Sequence, residues 1–511
     1  MSSAHPPLKP PGEVWILSFE YPGAASVAGM GVAVKAYAEG LARNGFEVSV
    51  FMPSSGTVQR EAGKLFTRTD GFTCSGARTG ADGVVRPYTV EAWQATLPES
   101  VRVIAFSGGG ASGTGPLDEP LVYSNAAEKA SLFCRAFLSW VDQASGPPRI
   151  MHSNDWHSGL AAAAAKIRYE SRGVFVPWVH SVHLLASPSF PWHYASQDWS
   201  GLSDVVHRVW RVAEHRLENV RSVWESCTGN LDRFCVVEAD AVVCPSMGYR
   251  DTVCSYVGEW VRAKCGVAYN STDWNIALAA EWAKKLTGTE SRVKLRQKTS
   301  EILRTFGFTV NLDSFRKLIV SSGRLTYQKG FDILLSSMTS VSSDTALILV
   351  GISAGDSQHE EALKKLSETL GSRVALVNQK LGKEKMGVLV YAANVFAVPS
   401  RYEPFGVVAI EAQAAGTPVV ASDVPGLNEV VDPRSGILVQ PENPVALAEA
   451  LNRLVALTDM EDLSGRRRLR RRAAAWVDGF FRPQNTLSML LNCYGLAGTM
   501  CWYRAETGSA G

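Results

Sequence analysis

The chain has 511 residues, of which 46% are hydrophobic and 20% charged, so it is long enough for two or more domains and its composition excludes global disorder. A formal net charge of +2 gives no reason to expect nucleic acid as the main partner. The Pro-rich start lacks an apolar signal core and no run of about 18 apolar residues follows, so we expect a cytoplasmic protein without a membrane span. The nine scattered cysteines contain no CxxC pair, which fits a reducing compartment and does not signal zinc.

The first half of the chain begins with a predicted βαβ unit. Val14–Phe19 is typical of a buried parallel strand, a Gly-rich turn follows, and the helix pattern of Val32–Asn44 ends at Gly45. Glu47–Met52 is the next predicted strand. Similar pieces are predicted further along the chain, as strands at Arg149–His152, Val174–Val182 and Ala241–Cys244 and as a helix through Ala161–Ala165.

A second series of alternating elements follows a polar, mostly helical stretch from about Trp274 to Asp313. This alternation indicates a parallel, doubly wound sheet with ligands at the carboxyl ends of its strands. The sequence therefore predicts an α/β protein with two Rossmann-like domains facing a cleft. The predicted strands are Lys317–Ser321, Ala346–Val350, Val374–Val377, Val395–Val398, Val419–Ala421 and Gly436–Val439, and the predicted helices are Phe331–Met338, Glu361–Leu370, Met386–Ala393, Gly406–Ala415 and Pro444–Leu457.

Two cations follow the first strand of this second series. Arg324 and Lys329 are five residues apart in SGRLTYQKG, across a turn at the carboxyl end of a strand. Two cations so placed can converge on one dianion, such as a diphosphate leaving group whose charge grows as its bond breaks. The alternative is that both are exposed basic residues in a turn.

Two glutamates and a glycine follow a later strand, in PSRYEPFGVVAIE. A short loop presents Glu403 before a helix that starts near Gly406, and such a helix start offers backbone amides and partial positive charge to a phosphate. Glu411 lies within the apolar VVAIEAQAAG, where an unpaired carboxylate is costly. That position favours a ligand-binding role, such as a hydrogen bond to a ribose diol.

These two segments resemble the glycogen and starch synthases, and more broadly the retaining nucleotide-sugar glycosyltransferases of the GT-B fold, including sucrose- and trehalose-forming enzymes. SGRLTYQKGFDILL is similar to the family's SRLTxQKGxDLL, and PSRYEPFGVVAIEAQAAGTPVVAS is similar to PSRFEPCGL followed by EAMAxGTPPVV. The E-x7-E spacing of Glu403 and Glu411 is that of the broader retaining class. The resemblance covers about Val14 to Trp476.

Segments of the first half carry the same resemblance. Gly29-Met-Gly31 is similar to the first-strand glycine loop, and HSNDWH, which ends at His157, is similar to the HxHDWH of the acceptor side. VHSVHL places His183 at the family's catalytic histidine, and NLDR resembles an N-x-x-K segment. The glycine loop lacks the lysine of the bacterial and plant KTGGL, which weakens any claim on ADP-glucose.

The resemblance implies a role for each matching residue. Arg324 and Lys329 hold the donor diphosphate, Glu403 faces the donor sugar, Glu411 contacts the ribose and His183 stabilises the transition state. Retention by front-face displacement lets the leaving phosphate take the acceptor proton, so no nucleophile, cofactor or metal is implied. The other implied residues are Gly29, Gly31, Phe405, Gly406 and Val407 for the donor, and Asp155, Trp156, His157 and Asn230 for the acceptor.

The first functional hypothesis is a glycogen synthase-type transfer of glucose from UDP- or ADP-glucose to the non-reducing end of an α-1,4-glucan. A second enzyme hypothesis is transfer to a small sugar, as in trehalose or sucrose synthesis. A third is a carbohydrate-binding protein with a dead site. An NAD-dependent oxidoreductase is disfavoured, because no GxGxxG follows a strand with an acidic residue about 20 positions on.

The resemblance also sets domain boundaries. We place an N-terminal acceptor domain at 1–275, a connection at 276–315 and a C-terminal donor domain at 316–465. Residues 466–511 are predicted as a helix that crosses back to the N-terminal domain, plus a tail.

Four other features keep two interpretations each. The arginines of Arg466–Arg472 can bind an anionic polymer or form a solvated helix face near an acidic stretch, and we favour the second. Ser107–Gly115 lacks the ending of a phosphate loop and is predicted to be a flexible loop. Phe190–Tyr194 can stack on sugars or pack the domain, and His152 and His157 can be caps of a strand-to-helix loop.

Overall fold

A computed structural model describes residues 12–25, 29–61, 64–80, 82–108, 115–308, 311–312, 314–459 and 463–506. The chain forms two compact units. The first comprises Met1–Pro245, Tyr249–Tyr269 and Thr486–Gly511, and the second comprises Ser246–Gly248 and Asn270–Asn485. Each unit is built from helices around a largely parallel sheet, which confirms the predicted α/β class. Within the described ranges, no helix is both long and apolar enough to cross a membrane.

The first unit contains a ten-stranded sheet in the order β12-β11-β8-β7-β1-β2-β6-β5-β3, with β4 paired to β5, and a separate β9–β10 hairpin. Seven neighbouring strands are parallel, whereas β3, β4 and β5 add antiparallel pairs at one edge. The strands are β1 (Val14–Leu17), β2 (Val48–Pro53), β3 (Thr67–Arg68), β4 (Cys74–Thr79), β5 (Val85–Leu97), β6 (Val101–Gly108), β7 (Ile150–Asn154), β8 (Trp178–Ser181), β9 (Val206–Arg211), β10 (Glu214–Asn219), β11 (Ala241–Cys244) and β12 (Cys265–Val267).

Eight of the described α-helices precede Tyr269 and belong to the first unit, apart from Met247 and Gly248 at the start of α8, which are assigned to the second. The first of them begins at Gly29 rather than near Val32, so Gly29 and Gly31 lie in a helical turn and not in the predicted loop. These helices are α1 (Gly29–Arg43), α2 (Thr57–Glu61), α3 (Ala126–Gln143), α4 (Asp155–Glu170), α5 (Trp192–Ala195), α6 (Val220–Ser226), α7 (Leu231–Glu238) and α8 (Met247–Val257).

Three of the ambiguous features lie in this unit. Most of Ser107–Gly115, the predicted flexible loop, is outside the described residues. Phe190 is buried against Trp156 and Trp224, so this residue of the aromatic segment packs inside the unit. His152 lies inside β7, where it contacts Ser181 at 2.7 Å and the Tyr494 hydroxyl at 3.0 Å, and is therefore not a loop cap.

The second unit contains a six-stranded parallel sheet in the order β15-β14-β13-β16-β17-β18. Counted from its first strand this is the doubly wound order 3-2-1-4-5-6, whose ligand site lies where the strand order reverses. The strands are β13 (Lys317–Arg324), β14 (Thr345–Ile352), β15 (Val374–Asn378), β16 (Val395–Val398), β17 (Val419–Ser422) and β18 (Ile437–Val439). The helices are α9 (Ile276–Thr287), α10 (Arg292–Gln297), α11 (Thr299–Thr305), α12 (Phe331–Ser337), α13 (Ser357–Thr369), α14 (Lys383–Ala392), α15 (Val407–Ala414), α16 (Leu427–Val430), α17 (Pro444–Asp459) and α18 (Leu463–Phe480).

The stretch that the sequence predicted as a connection, 276–315, forms α9, α10 and α11 within the second unit. Arg292 at the start of α10 donates to the carbonyls of Tyr391 and Ala415, and Trp282 of α9 lies against Gly387 of α14. These contacts make the stretch part of the packed unit.

The arginine run lies in α18. Arg467, Arg468, Arg471 and Arg472 are exposed, as expected of a solvated helix face. Arg470 differs, because it is buried and donates to the carbonyl of Gly416 at 3.2 Å and to that of Ala393 at 3.4 Å.

The final helix, α19 (Pro483–Glu506), belongs to the first unit from Thr486 onward. Its Arg504 is 1% exposed and bridges Glu170 at 2.9 Å and Asp240 at 3.0 Å. A buried cation shared by two carboxylates ties the last helix to α4 and to the start of β11.

Removing that cation takes from Asp240 and Glu170 the partner that they share, and of the two only Glu170 keeps another cation among the described residues, Arg208 at 3.5 Å. We expect Arg504→Ala to lower the free energy of unfolding by about 3–5 kcal/mol, the usual cost of breaking a buried ion pair. Urea unfolding followed by circular dichroism measures it, with Trp502→Ala, which truncates an exposed side chain of the same helix, as the control. Equal midpoints for the two variants would contradict a stabilising role of the pair.

Candidate functional site

The strand order of the second unit reverses between β13 and β16, which pair through Ile319 with Val395 and Val320 with Phe396. The loop after β13 carries Lys329 beyond Arg324, the last residue of that strand. The loop after β16 carries Glu403. Neighbouring parallel strands end at the same sheet edge, so the fold brings together segments that the sequence places far apart.

A close backbone approach holds these two loops in contact. Gly330 has φ 61°, and a Cβ there would lie 2.1 Å from the carbonyl oxygen of Pro399, so only glycine fits. The Arg401 amide donates to the Gln328 carbonyl at 2.8 Å, and Gln328 Nε2 donates to the Tyr402 carbonyl at 2.9 Å. The loops therefore form one rigid edge.

The functional side chains of this edge form a cation–carboxylate pair. Lys329 Nζ lies 2.5 Å from Oε2 of Glu403, which is only 7% exposed, and the Ser400 hydroxyl donates to the same oxygen at 3.1 Å. The Lys329 stem passes Gly323, where a Cβ would be 3.6 Å from its Cδ and Cε. Lys329 thus lies beside Gly323, whereas Arg324 Nη2 donates to Oε1 of Gln328 at 3.4 Å, and the convergence of the two cations on one ligand stays a prediction.

A second ionic network, which the sequence did not single out, supports the same edge. Arg401 bonds both oxygens of Asp332, at 2.9 and 2.7 Å, and Glu442 at 2.8 Å. Its guanidinium lies 3.7 Å from the ring centroid of Tyr327. Arg401 therefore connects the β16 loop to the turn that precedes Lys329 and to the start of α12.

The helix after Glu403 begins at Val407, behind a glycine that the backbone requires. Gly406 has φ 101°, and a Cβ there would lie 2.6 Å from Cδ2 of Leu427. Phe405 is buried, whereas Val407 is partly exposed in the first turn. The first turn of a helix has unpaired amides and partial positive charge, so this end of α15 can bind a phosphate.

Glu411 is a partly buried residue on α15. Burial raises the pKa of its carboxyl to about 7, with a smaller contribution from Asp273 and an opposing one from Lys383. Without ligand, the side chain is therefore protonated in a large fraction of molecules at neutral pH. This fits the prediction that Glu411 is a polar group held in apolar surroundings.

In the first unit, His183 lies just beyond β8. Its Nε2 is 2.9 Å from Oδ1 of Asn154, whose amide nitrogen donates to the Leu17 carbonyl. That second bond orients the Asn154 oxygen toward His183, so Nε2 carries the proton and Nδ1 is left as an acceptor. Burial lowers the pKa of His183 to about 4, which keeps the imidazole neutral.

Two carboxylates hold the loop that carries His183. Asp155 Oδ1 accepts the backbone amides of His183 at 2.6 Å and Leu184 at 3.2 Å, while Asp232 accepts those of Ala186 and Ser187 at 2.8 and 2.7 Å. Burial raises the pKa of Asp155 well above its usual range and that of Asp232 to about 6. Asp232 was missed in the sequence, although a carboxylate inside the apolar LDRFCVV was a usable signal.

The remaining predicted acceptor residues are engaged in packing. Trp156 is 3% exposed and stacks on His157, with ring centroids 3.9 Å apart, and burial lowers the pKa of His157 to about 3. Asn230 caps α7 by accepting the Arg233 amide and donates to the Ser187 carbonyl at 3.3 Å. Of these three, Asn230 contacts the loop that follows His183.

The predicted glycine pair lies at the start of α1. Gly29 is exposed and Gly31 is buried in the first turn. Helix starts of this kind can bind an anion, as the donor role requires. Ser26–Ala28, the rest of the predicted loop, lie outside the described residues.

Two family models match the chain: the starch synthase catalytic domain over residues 13–263 and the glycosyl transferases group 1 over residues 307–476. The α-maltose-1-phosphate synthase of Mycolicibacterium smegmatis is 31% identical over 343 residues, which is 65% of this chain and 76% of that protein. The chain is a GT-B glycosyltransferase related to the starch synthases. A D-inositol 3-phosphate glycosyltransferase of Corynebacterium urealyticum is 26% identical over 86% of this chain and 85% of its own length.

Solved structures agree on the fold of this glycosyltransferase. The catalytic domain of starch synthase IV from Arabidopsis thaliana, bound to ADP and acarbose, has a TM-score of 0.72 at 17% identity. The match covers 96% of this chain and 99% of that one. The GT-B fold is therefore confirmed, and the family models together with the 31% identical relative confirm the predicted family.

The raised pKa of Glu411 makes a prediction about stability. Between the ordinary value of 4.5 and about 7, the native glutamic acid keeps a proton that the unfolded chain has lost. The free energy of unfolding therefore falls as pH rises through that window. We expect Glu411→Gln to remove this fall. The free energy of unfolding of the variant, measured in urea, should therefore rise relative to that of the wild type from pH 5 to pH 7.

The control is Glu361→Gln, at an exposed position of α13, which should stay within about 0.5 kcal/mol of the wild type at each pH. Parallel pH profiles for Glu411→Gln and the wild type would show that the Glu411 carboxyl titrates normally.

Proposed function

We propose that this glycosyltransferase transfers glucose, with retention of the anomeric configuration, from UDP- or ADP-glucose to the non-reducing end of an α-1,4-glucan. The observation that carries the proposal is the Lys329–Glu403 pair beside the end of β13, at the reversal of strand order in the second unit. A site with a fixed cation, a buried carboxylate and a helix start suits a donor with a diphosphate and a sugar.

The charged residues of the second unit suggest how the nucleotide-sugar donor is bound and how its diphosphate leaves. Arg324 and Lys329 stabilise the diphosphate as it leaves, and the first turn of α15, behind Gly406, binds its oxygens. Glu403 accepts hydrogen bonds from hydroxyls of the donor sugar, and Glu411 binds the ribose. Because cations of the protein take the place of a metal ion, and the leaving phosphate takes the acceptor proton, the proposal needs neither metal nor nucleophile.

In the first unit, a neutral His183 accepts a hydrogen bond at Nδ1 and stabilises the sugar during transfer. We assign Asp155 to the positioning of His183, since it binds the amide of that residue. We also assign Asn230, Trp156 and His157 to the acceptor region. Because their side chains are engaged in the packing of the first unit, they support that region from within the fold. We assign Gly29 and Gly31 to donor binding through the free amides at the start of α1.

A second candidate is transfer to a small phosphorylated acceptor. The relatives favour it: α-maltose-1-phosphate synthase, at 31% identity, makes a glucosyl–glucose phosphate by name, and another relative is a D-inositol 3-phosphate glycosyltransferase. The donor chemistry is unchanged, and only the acceptor differs.

A release assay separates these candidates. The purified protein is mixed with UDP- or ADP-glucose, alone and with glycogen, glucose 1-phosphate, inositol 3-phosphate or fructose 6-phosphate, and free nucleoside diphosphate is measured. We expect release that depends on glycogen, with an α-linked product by NMR. Release with a small acceptor alone would move the assignment to the second candidate, and no release with any pair would favour a dead-site binding protein.

Charge removal tests the donor site. We expect Lys329→Ala and Arg324→Ala each to lower kcat by about 10²–10³-fold, as loss of one fixed charge stabiliser usually does. Steady-state kinetics with the active donor measures the loss. Lys365→Ala, at an exposed position of α13, is the control. Near-normal kcat in both site variants would refute the assignment of the diphosphate site.

A further inference from the structure

The β9–β10 hairpin of the first unit forms a two-stranded sheet of its own. Its register is continuous, from Glu214 opposite Arg211 to Asn219 opposite Val206. A two-stranded sheet has two outer edges, and an open edge presents backbone amides and carbonyls with which a further strand can pair. What this hairpin can bind therefore depends on which of its edges is already engaged.

The β9 edge is engaged with the rest of the first unit. The Arg208 amide, which faces away from β10, donates to Oε1 of Glu170 at 3.0 Å. The side chain of His207 on the same strand lies 2.8 Å from the buried carboxylate of Glu238. These contacts make β9 the inner strand of the hairpin.

The β10 edge is open. The Val220 amide donates to the Val205 carbonyl at 3.1 Å, and bonded pairs alternate along an antiparallel ladder. Every second residue of β10 therefore turns its amide and carbonyl away from β9. These residues are His215, Leu217 and Asn219, and their amides have no hydrogen-bond partner among the residues that the structure describes.

The middle of this open edge is apolar and exposed. Leu217 is 65% exposed, and Glu214 and Arg216 beside it are exposed as well. Proteins usually blunt such an edge with a proline, a bulge or a covering loop. β10 contains no proline and pairs with β9 without a bulge. An exposed leucine at the centre of such an edge indicates a surface for strand pairing.

The charges of β10 favour one register for pairing with an antiparallel copy of the same strand. A two-fold axis at Arg216 opposes the two copies of that arginine, and an axis at Glu218 opposes the two glutamates. An axis at His215 leaves Leu217 opposite the turn of the hairpin. An axis at Leu217 brings the two leucines together and sets Arg216 of each copy opposite Glu218 of the other, so that charge and apolar contact agree.

Both charged side chains can make that contact. Arg216 bonds Glu214 at 2.8 Å, in an exposed pair of the kind that contributes little to stability and can rearrange. Glu218 accepts two bonds from Arg211, both at 2.8 Å, and its carboxylate keeps lone pairs for a second cation.

We propose that two copies of the chain associate through β10 and form a four-stranded antiparallel sheet across a two-fold axis at Leu217. The pairing of three outward-facing residues on each strand provides about six backbone hydrogen bonds. The partner of this edge is thus a second copy of the same chain, and the interface belongs to the first unit.

Sedimentation velocity of the full chain at about 1–100 µM tests the association, in the range where small interfaces dissociate. The wild-type mass should move from that of one chain toward that of two. Leu217→Asp should raise the dissociation constant by about tenfold or more, because both copies lose the apolar contact and oppose like charges. The matched control, Val206→Asp, changes a valine that is 62% exposed on β9 and should stay within about twofold. Thermal melting checks that both variants are folded.

Cysteine cross-linking tests the register. Identical residues at the axis form a hydrogen-bonded pair with Cα atoms about 5.5 Å apart, which is within disulfide range. Leu217→Cys should therefore become a covalent dimer in oxidised glutathione, whereas Val206→Cys should not. The native cysteines are buried and should not react under the same conditions.

Three outcomes would refute pairing through β10. The mass of a single chain at every concentration would exclude the association. A similar dissociation constant for Leu217→Asp and Val206→Asp would place the interface on another surface. Equal cross-linking of the two cysteine variants would show that the axis does not lie at Leu217.

Discussion

The contact between Gly330 and the Pro399 carbonyl is the constraint on which the donor side depends. Because residue 330 is a glycine and has no side chain, the turn after β13 can lie directly against the loop after β16. That contact brings Lys329 to within 2.5 Å of Glu403, although the two residues come from different βα units. Arg401 then fixes both loops to α12 through Asp332. A buried carboxylate costs little here, since its cation and the Ser400 hydroxyl arrive with the fold.

The second unit was largely predictable because its signals are local. Each apolar run predicted as a strand there forms one, from β13 to β18, and the six strands pair in parallel. A strand buried on both faces is nearly all apolar, so short runs such as VFAV stand out between polar turns. The first unit was harder. β5 alternates between exposed and buried residues, and the β9–β10 hairpin is mostly polar, so neither has the continuous apolar run that marked the parallel strands.

The site residues divide in the same way, into those that a local motif identifies and those whose partners lie far along the chain. Lys329, Glu403 and the start of α15 lie in compact motifs, and the fold brings them to one edge as expected. Asp232 and Arg401 act through partners that only the fold supplies: the first binds amides of the His183 loop, and the second bridges Asp332 and Glu442. Asn230 matched a motif for the acceptor, yet its oxygen caps α7, because a short amide side chain before a helix satisfies the nearest free amide first.

The two ends of helix α15 differ in how much of their surroundings the sequence reveals. Its amino end, behind Gly406, has unpaired amides and partial positive charge, and its carboxyl end has unpaired carbonyls and partial negative charge. Arg292 and Arg470 satisfy the carbonyls of Ala415 and Gly416 at that second end. Cations at that end stabilise the helix. The amino end follows a single sequence motif, whereas the partners of the carboxyl end come from α10 and α18, so only the folded chain reveals them.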